Sequence, residues 1–268
     1  MKKLVHLEKI ASSYDTFIID LWGVMHDGIN LNMSASNTVE HLLKQKKKIV
    51  FLSNAPRPSS KVKSFLKKMK MKNEFLENIM TSGEAAMKAV SQNRYGKYFY
   101  HLGPKRDNSI FEKVKDNETN LEKCDYILCT GLFDNFEEDL NYYKKLLQKS
   151  VSKIMICTNP DLIVHRGQTR EYCAGKIAEI FQKIGGKVIY FGKPHEEVYK
   201  MCLDPKDKAL AIGDNLRTDI KGANNLGIDS IFIYNGVHRD EIKNENEINK
   251  VVKNYNVQVN YYQFELNW

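Results

Sequence analysis

The sequence predicts an α/β fold, in which a doubly wound parallel sheet carries a second α/β unit inserted into it. The first observation behind this class is that predicted strands and helices alternate almost throughout the 268 residues. The second is that a separate series of alternating strands and helices begins near Gly83 and ends at the turn Gly185-Gly186. We therefore expect a core formed by residues 1–82 and 186–268, with residues 83–185 as the inserted unit.

The core strands are predicted from short apolar runs that end in polar residues or glycine. These runs cover residues 16–21, 49–52, 188–191, 209–212 and 230–234, and residues 261–264 form an edge strand or a packing tail. Helices are predicted around residues 36–47 and from Ser59 onward.

The inserted unit shows the same alternation of strands and helices. Its predicted strands cover residues 98–102, 126–130 and 154–157. Its predicted helices cover residues 84–91, 109–115, 136–148 and 169–183, and Ser82 is a candidate cap for the first of them.

Charge and composition argue against several classes of partner. The net charge is +8 and lysines cluster between Lys44 and Lys72, but no nucleic-acid-binding motif accompanies them. We expect a solvated helix face there and no nucleic-acid partner. No apolar run approaches the roughly 20 residues that a membrane span needs, so we expect no membrane partner. The five cysteines form no C-x-x-C pair, which favours reduced thiols and a cytoplasmic location.

A buried strand that ends in one carboxylate is the most informative motif. The apolar run that begins at Phe17 ends at Asp20, and a tight turn at Gly23 follows. A carboxylate at the end of a parallel strand can attack phosphorus or ligate Mg²⁺. The main-chain carbonyl of Trp22 could supply another oxygen ligand.

Ser53-Asn54 and Lys193 are candidate phosphate contacts. Ser53 and Asn54 follow the second predicted strand and offer a hydroxyl and a backbone N–H, although an ordinary turn explains the pair as well. Lys193 stands between Gly192 and Pro194, where its charge could lie beside a phosphate and a carboxylate. The alternative for Lys193 is a solvent-exposed lysine at a helix start.

Asp214 and Asp219 are the candidate metal ligands after the strand at residues 209–212. Two carboxylates across a strand-to-helix loop suit a metal site, with Asp214 binding directly and Asp219 binding through water or orienting the loop. Asp219 could equally be a helix N-terminal acid.

Together these motifs resemble those of the haloacid dehalogenase (HAD) superfamily, and most closely its class IIA phosphohydrolases with a C2-type cap. The similarity runs from about Asp15 to Gly236. The matching motifs are D-x-x-G-V at residues 20–24, S-N at 53–54, T-N-P-D at 158–161, G-K-P at 192–194 and G-D-x-x-x-T-D at 213–219.

The resemblance implies a Rossmann-like core, a cap domain and Mg²⁺-dependent hydrolysis of a small phosphorylated metabolite, such as a sugar, nucleotide or cofactor phosphate. Because caps of this class often mediate dimers, a homodimer is one expectation. The implied roles are Asp20 as nucleophile and metal ligand, Trp22 as a ligand through its carbonyl, Ser53 and Asn54 as phosphate contacts, Lys193 as the neutralising cation, Asp214 and Asp219 as Mg²⁺ ligands, and Asn159 and Asp161 as substrate-loop residues facing the leaving group.

Trp22 departs from the family pattern. In family phosphatases an aspartate at this position protonates the leaving alcohol and then activates water, and an indole can do neither. His26 and Asp27 are nearby substitutes, although we favour a role for them in shaping the flap after the first strand.

Three functions therefore remain open. The first is a phosphatase that favours good leaving groups. The second is a phosphate-ester-binding protein with impaired turnover. The third is carbon–halogen hydrolysis, since haloacid dehalogenases carry an aromatic residue at this position, but their cap is helical and they need no metal. The α/β insert and the pair Asp214 and Asp219 favour the phosphatase.

Overall fold

The structure is a computed structural model that describes residues 1–268. No helix in it is both long and apolar enough to cross a membrane. The thirteen strands are β1 Lys2–Lys3, β2 Thr16–Ile19, β3 Lys48–Ser53, β4 Ile79–Thr81, β5 Phe99–Leu102, β6 Tyr126–Cys129, β7 Ile154–Cys157, β8 Ile163–Arg166, β9 Thr169–Tyr172, β10 Lys187–Tyr190, β11 Ala209–Gly213, β12 Asp229–Ile233 and β13 Tyr261–Gln263. The nine α-helices are α1 Glu8–Ala11, α2 Met33–Lys44, α3 Ser59–Lys68, α4 Ser82–Ser91, α5 Leu140–Leu147, α6 Ala174–Lys183, α7 Glu196–Lys200, α8 Lys221–Leu226 and α9 Glu245–Asn254.

The larger sheet has seven parallel strands in the order β1-β13-β12-β11-β2-β3-β4. The chain proceeds outward from β2 to β4 on one side and from β11 to β13 on the other. The order therefore reverses between β11 and β2, and ligands of doubly wound sheets bind at such a switch point. The predicted fold class is confirmed.

Both faces of the larger sheet are buried. Along β2, Phe17 and Ile19 point into a core shared with α1, α2 and α3, whereas Ile18 points into a core shared with α7. Phe232 of β12 packs on α9. Burial on both faces explains why the strands appear in the sequence as continuous apolar runs.

The smaller sheet has four parallel strands in the order β10-β7-β6-β5. Helices α5 and α6 cover one face, where Tyr143 and Phe181 are fully buried. Helix α4 covers the other face through Ala86 and Val90. Strands β8 and β9 pair only with each other, as an antiparallel hairpin.

The prediction that residues 188–191 form a core strand is wrong. Strand β10 belongs to the smaller sheet, where Lys187 lies opposite Ile154 and Tyr190 lies opposite Cys157. An apolar run indicates a buried strand but does not specify which of two sheets it joins. We propose that the inserted unit spans residues 83–191 rather than 83–185.

Three predictions about the inserted unit's helices also need correction. Residues 169–172 form β9 rather than the start of a helix, and α6 begins only at Ala174. The helix predicted over residues 109–115 is replaced by two 3₁₀ segments, Lys105–Ile110 and Glu112–Asn117. The cap of α4 is Thr81, whose hydroxyl accepts a hydrogen bond from the N–H of Glu84 at 3.0 Å.

Ser82 has a different role from the predicted cap. Its hydroxyl contacts the carbonyl oxygens of Thr158 and Phe191. It therefore joins three chain segments where the two sheets meet. Strand β4, directly before it, has only three residues, too few for a recognisable pattern in the sequence.

Phe181→Ala should lower the free energy of unfolding by about 3–5 kcal/mol, because it empties a fully buried site in the smaller unit. Urea denaturation followed by circular dichroism measures this change. The matched control is Phe264→Ala, since Phe264 is 54% exposed, and it should cost less than about 1 kcal/mol. Equal losses in the two variants would contradict the assigned core.

Candidate active site

The carboxyl ends of three adjacent strands bring the predicted core residues together. Asp20 directly follows β2, Ser53 ends β3 and Asp214 directly follows β11. Since β11, β2 and β3 are parallel neighbours, these three residues meet at one edge of the sheet. The edge coincides with the switch point.

Lys193 reaches this edge from the smaller sheet, just after β10. Gly192 has φ +109, and a Cβ there would lie 2.5 Å from Asn54 Oδ1, so only glycine fits the approach. The N–H of Lys193 donates to Asn54 Oδ1 at 2.8 Å, and Asn54 Nδ2 donates to the carbonyl of Lys193 at 3.2 Å. The Asn54 side chain therefore holds the main chain of Lys193 in place.

The Lys193 ammonium lies between two buried carboxylates. Its Nζ donates to Asp20 Oδ1, and to Asp219 Oδ1 at 2.7 Å. Burial alone would lower the pKa of Lys193, but Asp20, Asp219 and Asp161 together hold that pKa well above its ordinary value. Burial raises the pKa of Asp20, and the Lys193 charge opposes this. Lys193 is thus a permanent cation at the centre of an acidic site.

Asp20, Asp214 and Asp219 form a set of oxygen donors that fits a hard divalent cation. One carboxylate oxygen from each lies within 4.8 Å of the others, and all three residues are buried. Asp214 has no basic side chain bonded to it and accepts one hydrogen bond, from the N–H of Val237 at 2.7 Å. Burial and its acidic neighbours Asp20 and Asp219 raise the pKa of Asp214. Added positive charge would relieve this repulsion, which suits Mg²⁺.

The contacts separate the roles of the metal-ligand candidates. Both carboxylate oxygens of Asp219 are engaged, one by Lys193 and the other by the N–H of Asn215 at 3.1 Å. This agrees with an orienting role for Asp219. The main-chain carbonyl of Trp22 accepts no backbone hydrogen bond and is available as a ligand beside Asp20 and Asp214.

Two donors remain at the end of β3 for a phosphate oxygen. The Ser53 Oγ accepts from the N–H of Ala55 at 3.2 Å, which leaves its own hydrogen free to donate. The N–H of Asn54 has no acceptor within the chain. Ser53, Asn54 and Lys193 line the same cleft, an arrangement that suits a phosphate oxygen.

Asp161 reaches from the inserted unit into the core. Its Oδ1 accepts hydrogen bonds from Asn54 at 3.2 Å, Asn215 at 3.0 Å and Thr218 at 3.1 Å. Burial raises its pKa to about 6, although Lys193 opposes the change. Asp161 therefore docks the loop of the smaller unit onto the core.

Asn159 shapes the same loop. Its side-chain oxygen accepts from the N–H of Asp161 at 3.0 Å, which closes a local turn. Both residues line the cleft between the two units.

Trp22 and the two substitutes for the missing acid make other contacts. The indole N–H of Trp22 donates to the carbonyl of His165 at 2.8 Å, in β8. The Nδ1 of His26 accepts from the N–H of Gly28, and burial lowers its pKa to about 4, so the ring is neutral near pH 7 and is a poor acid. Asp27 accepts from two main-chain N–H groups of the flap, and these lower its pKa despite partial burial. His26 and Asp27 thus shape the flap.

The cleft has a volume of about 1050 Å³, and most of the residues that line it are polar or charged. Five arginines that were not predicted from the sequence line it: Arg57, Arg106, Arg166, Arg170 and Arg239. Four of them pair with chain groups, and Arg170 lies over the ring of Tyr172. They come from four separate segments, so no local motif could have indicated them.

Family models match both parts of the core. A haloacid dehalogenase-like hydrolase model matches residues 17–115, and a HAD-hydrolase-like model matches residues 190–256. The chain belongs to the haloacid dehalogenase-like hydrolase family. The two matches include the segments that carry Asp20, Ser53, Lys193 and Asp214.

Individual relatives are similar to this chain over most of its length. An acid sugar phosphatase of Staphylococcus aureus is 25% identical over 243 residues, which is 87% of this chain and 92% of the relative. A haloacid dehalogenase-like hydrolase from Brucella suis 1330 is 26% identical, with a TM-score of 0.86 over 99% of this chain and 100% of that one. A glycerol phosphate phosphatase from Mycobacterium tuberculosis, in complex with magnesium, shares the fold at 22% identity, with a TM-score of 0.63 over 88% of this chain and 71% of that one.

His26→Gln should flatten the pH dependence of stability between about pH 6.5 and pH 4. Because the pKa of His26 is lowered in the folded state, its contribution is complete above the unfolded value of 6.5 and is lost as the pH falls toward 4. The wild type should therefore lose about 2–3 kcal/mol more than the variant between pH 7 and pH 4.5. Urea denaturation at both pH values tests this.

The matched comparison is His101→Gln. Burial also lowers the pKa of His101 to about 4, inside the smaller unit. The His101→Gln variant should likewise lose less stability than the wild type as the pH falls from 7 to 4.5. An unchanged pH dependence in the His26 variant would contradict the neutral, buried state of that ring.

Proposed function

We propose that this protein is a Mg²⁺-dependent hydrolase of small-molecule phosphate monoesters that works through an aspartyl-phosphate intermediate. The observation that carries the proposal is the buried ammonium of Lys193 between Asp20 and Asp219, with Asp214 beside them. Membership in a hydrolase family and a relative named as an acid sugar phosphatase support the reaction class.

The chain's own residues supply positioning and charge neutralisation. An oxygen of Asp20 forms a bond to phosphorus while the bond from phosphorus to the ester oxygen breaks. Lys193, the Ser53 hydroxyl and the N–H of Asn54 balance the charge on the phosphoryl oxygens. Water then attacks phosphorus, the bond to Asp20 breaks and inorganic phosphate leaves.

Asp20, Asp214 and the Trp22 carbonyl would hold Mg²⁺, with Asp219 orienting the loop. The ion, when bound, supplies positive charge against the phosphate and the surrounding carboxylates. Without it, three buried aspartates face one lysine.

The leaving oxygen lacks a proton donor at the position that Trp22 occupies. The indole does not titrate, and His26 is neutral and bonded to the flap. The leaving group must therefore take its proton from solvent, so we infer that esters with acidic leaving groups react faster. A phosphate-ester-binding protein with little turnover is the second candidate, and Trp22 is the observation that favours it.

The many polar and charged residues that line the cleft favour a polar substrate. Arginine and glutamate side chains such as Arg170 and Glu171 line it, which suits a sugar, nucleotide or cofactor phosphate. All five cysteines are free and none is fully exposed, which supports the proposed cytoplasmic location.

Asp20→Asn should abolish phosphate release, because an amide does not attack phosphorus. The measurement is inorganic phosphate released from p-nitrophenyl phosphate, with Mg²⁺ and with EDTA. The wild type should lose activity in EDTA and regain it with added Mg²⁺. The matched control is Asp116→Asn, an exposed carboxylate of the smaller unit, which should keep wild-type activity. A fully active Asp20→Asn variant would overturn the proposal.

Trp22→Asp should raise kcat mainly on alkyl phosphates, by up to about 10²-fold, since it restores a titrating group beside the leaving oxygen. Aryl, acyl and alkyl esters are compared in the wild type and the variant. The wild type should favour aryl and acyl esters. Equal wild-type rates across the series would show that another residue supplies the proton.

A further inference from the structure

The side chain of Trp22 is enclosed by both units of the molecule. Besides the hydrogen bond from its indole N–H to His165, its ring lies under the Arg166 guanidinium, 4.9 Å from the ring centroid. On the core side, a Cβ on Gly28 would lie 2.4 Å from a ring carbon of Trp22. Gly28 also has φ +88, so a glycine at this position leaves the space in the flap that the indole occupies.

Two more core segments hold the same hairpin, β8–β9. The N–H of Gly167, at its turn, donates to the carbonyl of Asp27 at 3.0 Å. Arg239 Nη2 donates to the carbonyl of Gly167 at 2.6 Å and to His165 Nδ1 at 3.1 Å. The hairpin is thus hydrogen-bonded both to the flap and to the loop after β12.

These contacts matter because the hairpin is hydrogen-bonded to neither of the two larger sheets. Its two strands pair only with each other, and an isolated two-stranded hairpin is marginally stable in water. Residues from Ile163 to Tyr172 nevertheless form one wall of the cleft above Asp20. The position of that wall therefore depends on its anchors in the core.

We propose that Trp22 is a positioning residue, which fastens the β8–β9 hairpin over the nucleophile and thereby sets substrate affinity. Its main chain borders Asp20, while its indole is bonded to the opposite wall. Related phosphatases have a proton-donating aspartate at this position. Here the side chain is an indole that contacts the opposite wall of the cleft and lies under Arg166. Only the kinetic part of this inference rests on the proposed hydrolysis.

Trp22→Phe is the first test, because it removes the indole N–H and keeps an aromatic ring under Arg166. Hydrogen exchange of the amides in residues 163–172 should quicken by roughly 2- to 12-fold, the range that one hydrogen bond supports. Trp22→Leu, which also loses the cation–π contact, should exchange faster still. Trp268→Phe is the matched control, since Trp268 stacks on His41 and does not contact the hairpin. Unchanged exchange in both Trp22 variants would overturn the proposal.

The kinetic readout separates positioning from general loss of structure. KM for p-nitrophenyl phosphate should rise several-fold in Trp22→Phe, while kcat changes less than about twofold, because the reacting groups stay in place. A fall in kcat with unchanged KM would contradict the positioning role. Hydrogen exchange needs no turnover, so a hairpin that loosens in a protein without hydrolysis would refute only the proposed function.

A second measurement does not change Trp22 at all. The chain has two tryptophans, so in a Trp268→Phe background the fluorescence reports Trp22 alone. Adding Arg239→Gln removes a second side-chain anchor of the hairpin and should make Trp22 more accessible to quenching by acrylamide. Inorganic phosphate and Mg²⁺ are the added probes, and they should reduce quenching in the background protein by favouring the closed cleft. Identical quenching with and without Arg239 would overturn the proposal.

Discussion

The ion-pair contacts of Lys193 with Asp20 and Asp219 are the interaction on which the site depends. Three carboxylates at one buried sheet edge repel one another. A single ammonium that is bonded to two of them offsets part of this repulsion. Lys193 follows the last residue of β10, a strand of the smaller sheet, by three residues, and Asn54 of the core holds its main chain. Asp20, the proposed nucleophile, therefore has its counter-charge from a lysine that lies where the chain returns from the smaller sheet to the core.

Other contacts also join the two units at this cleft. Asp161 enters from the smaller unit and accepts three hydrogen bonds from core side chains, and the hairpin is held from two sides by the flap and by Arg239. Trp22 belongs to this group through its indole, although the family resemblance predicts a catalytic acid at its position. Under the two proposals, substrate affinity and leaving-group preference both depend on this one residue.

The motif positions were predictable because each lies at the end of a strand with a strong apolar pattern. Asp20, Ser53 and Asp214 follow runs buried on both faces, and parallel neighbours bring such ends together without further information. The contacts of Asn54 and Asp161 were not predictable in the same way. Their side chains turn toward Lys193 and Thr218, partners that lie more than fifty residues away, and residue type alone did not separate a phosphate contact from a support.

By itself, the sequence determined the α/β class, the parallel core and the chemical identity of the cluster, because period and residue type act locally. Only the tertiary structure decided that residues 187–190 join the smaller sheet, that residues 169–172 form a hairpin and that Trp22 meets His165 across the cleft. These outcomes depend on which surfaces compete for the same apolar run or the same donor. That competition is settled by packing between distant segments, which no local pattern in the chain records.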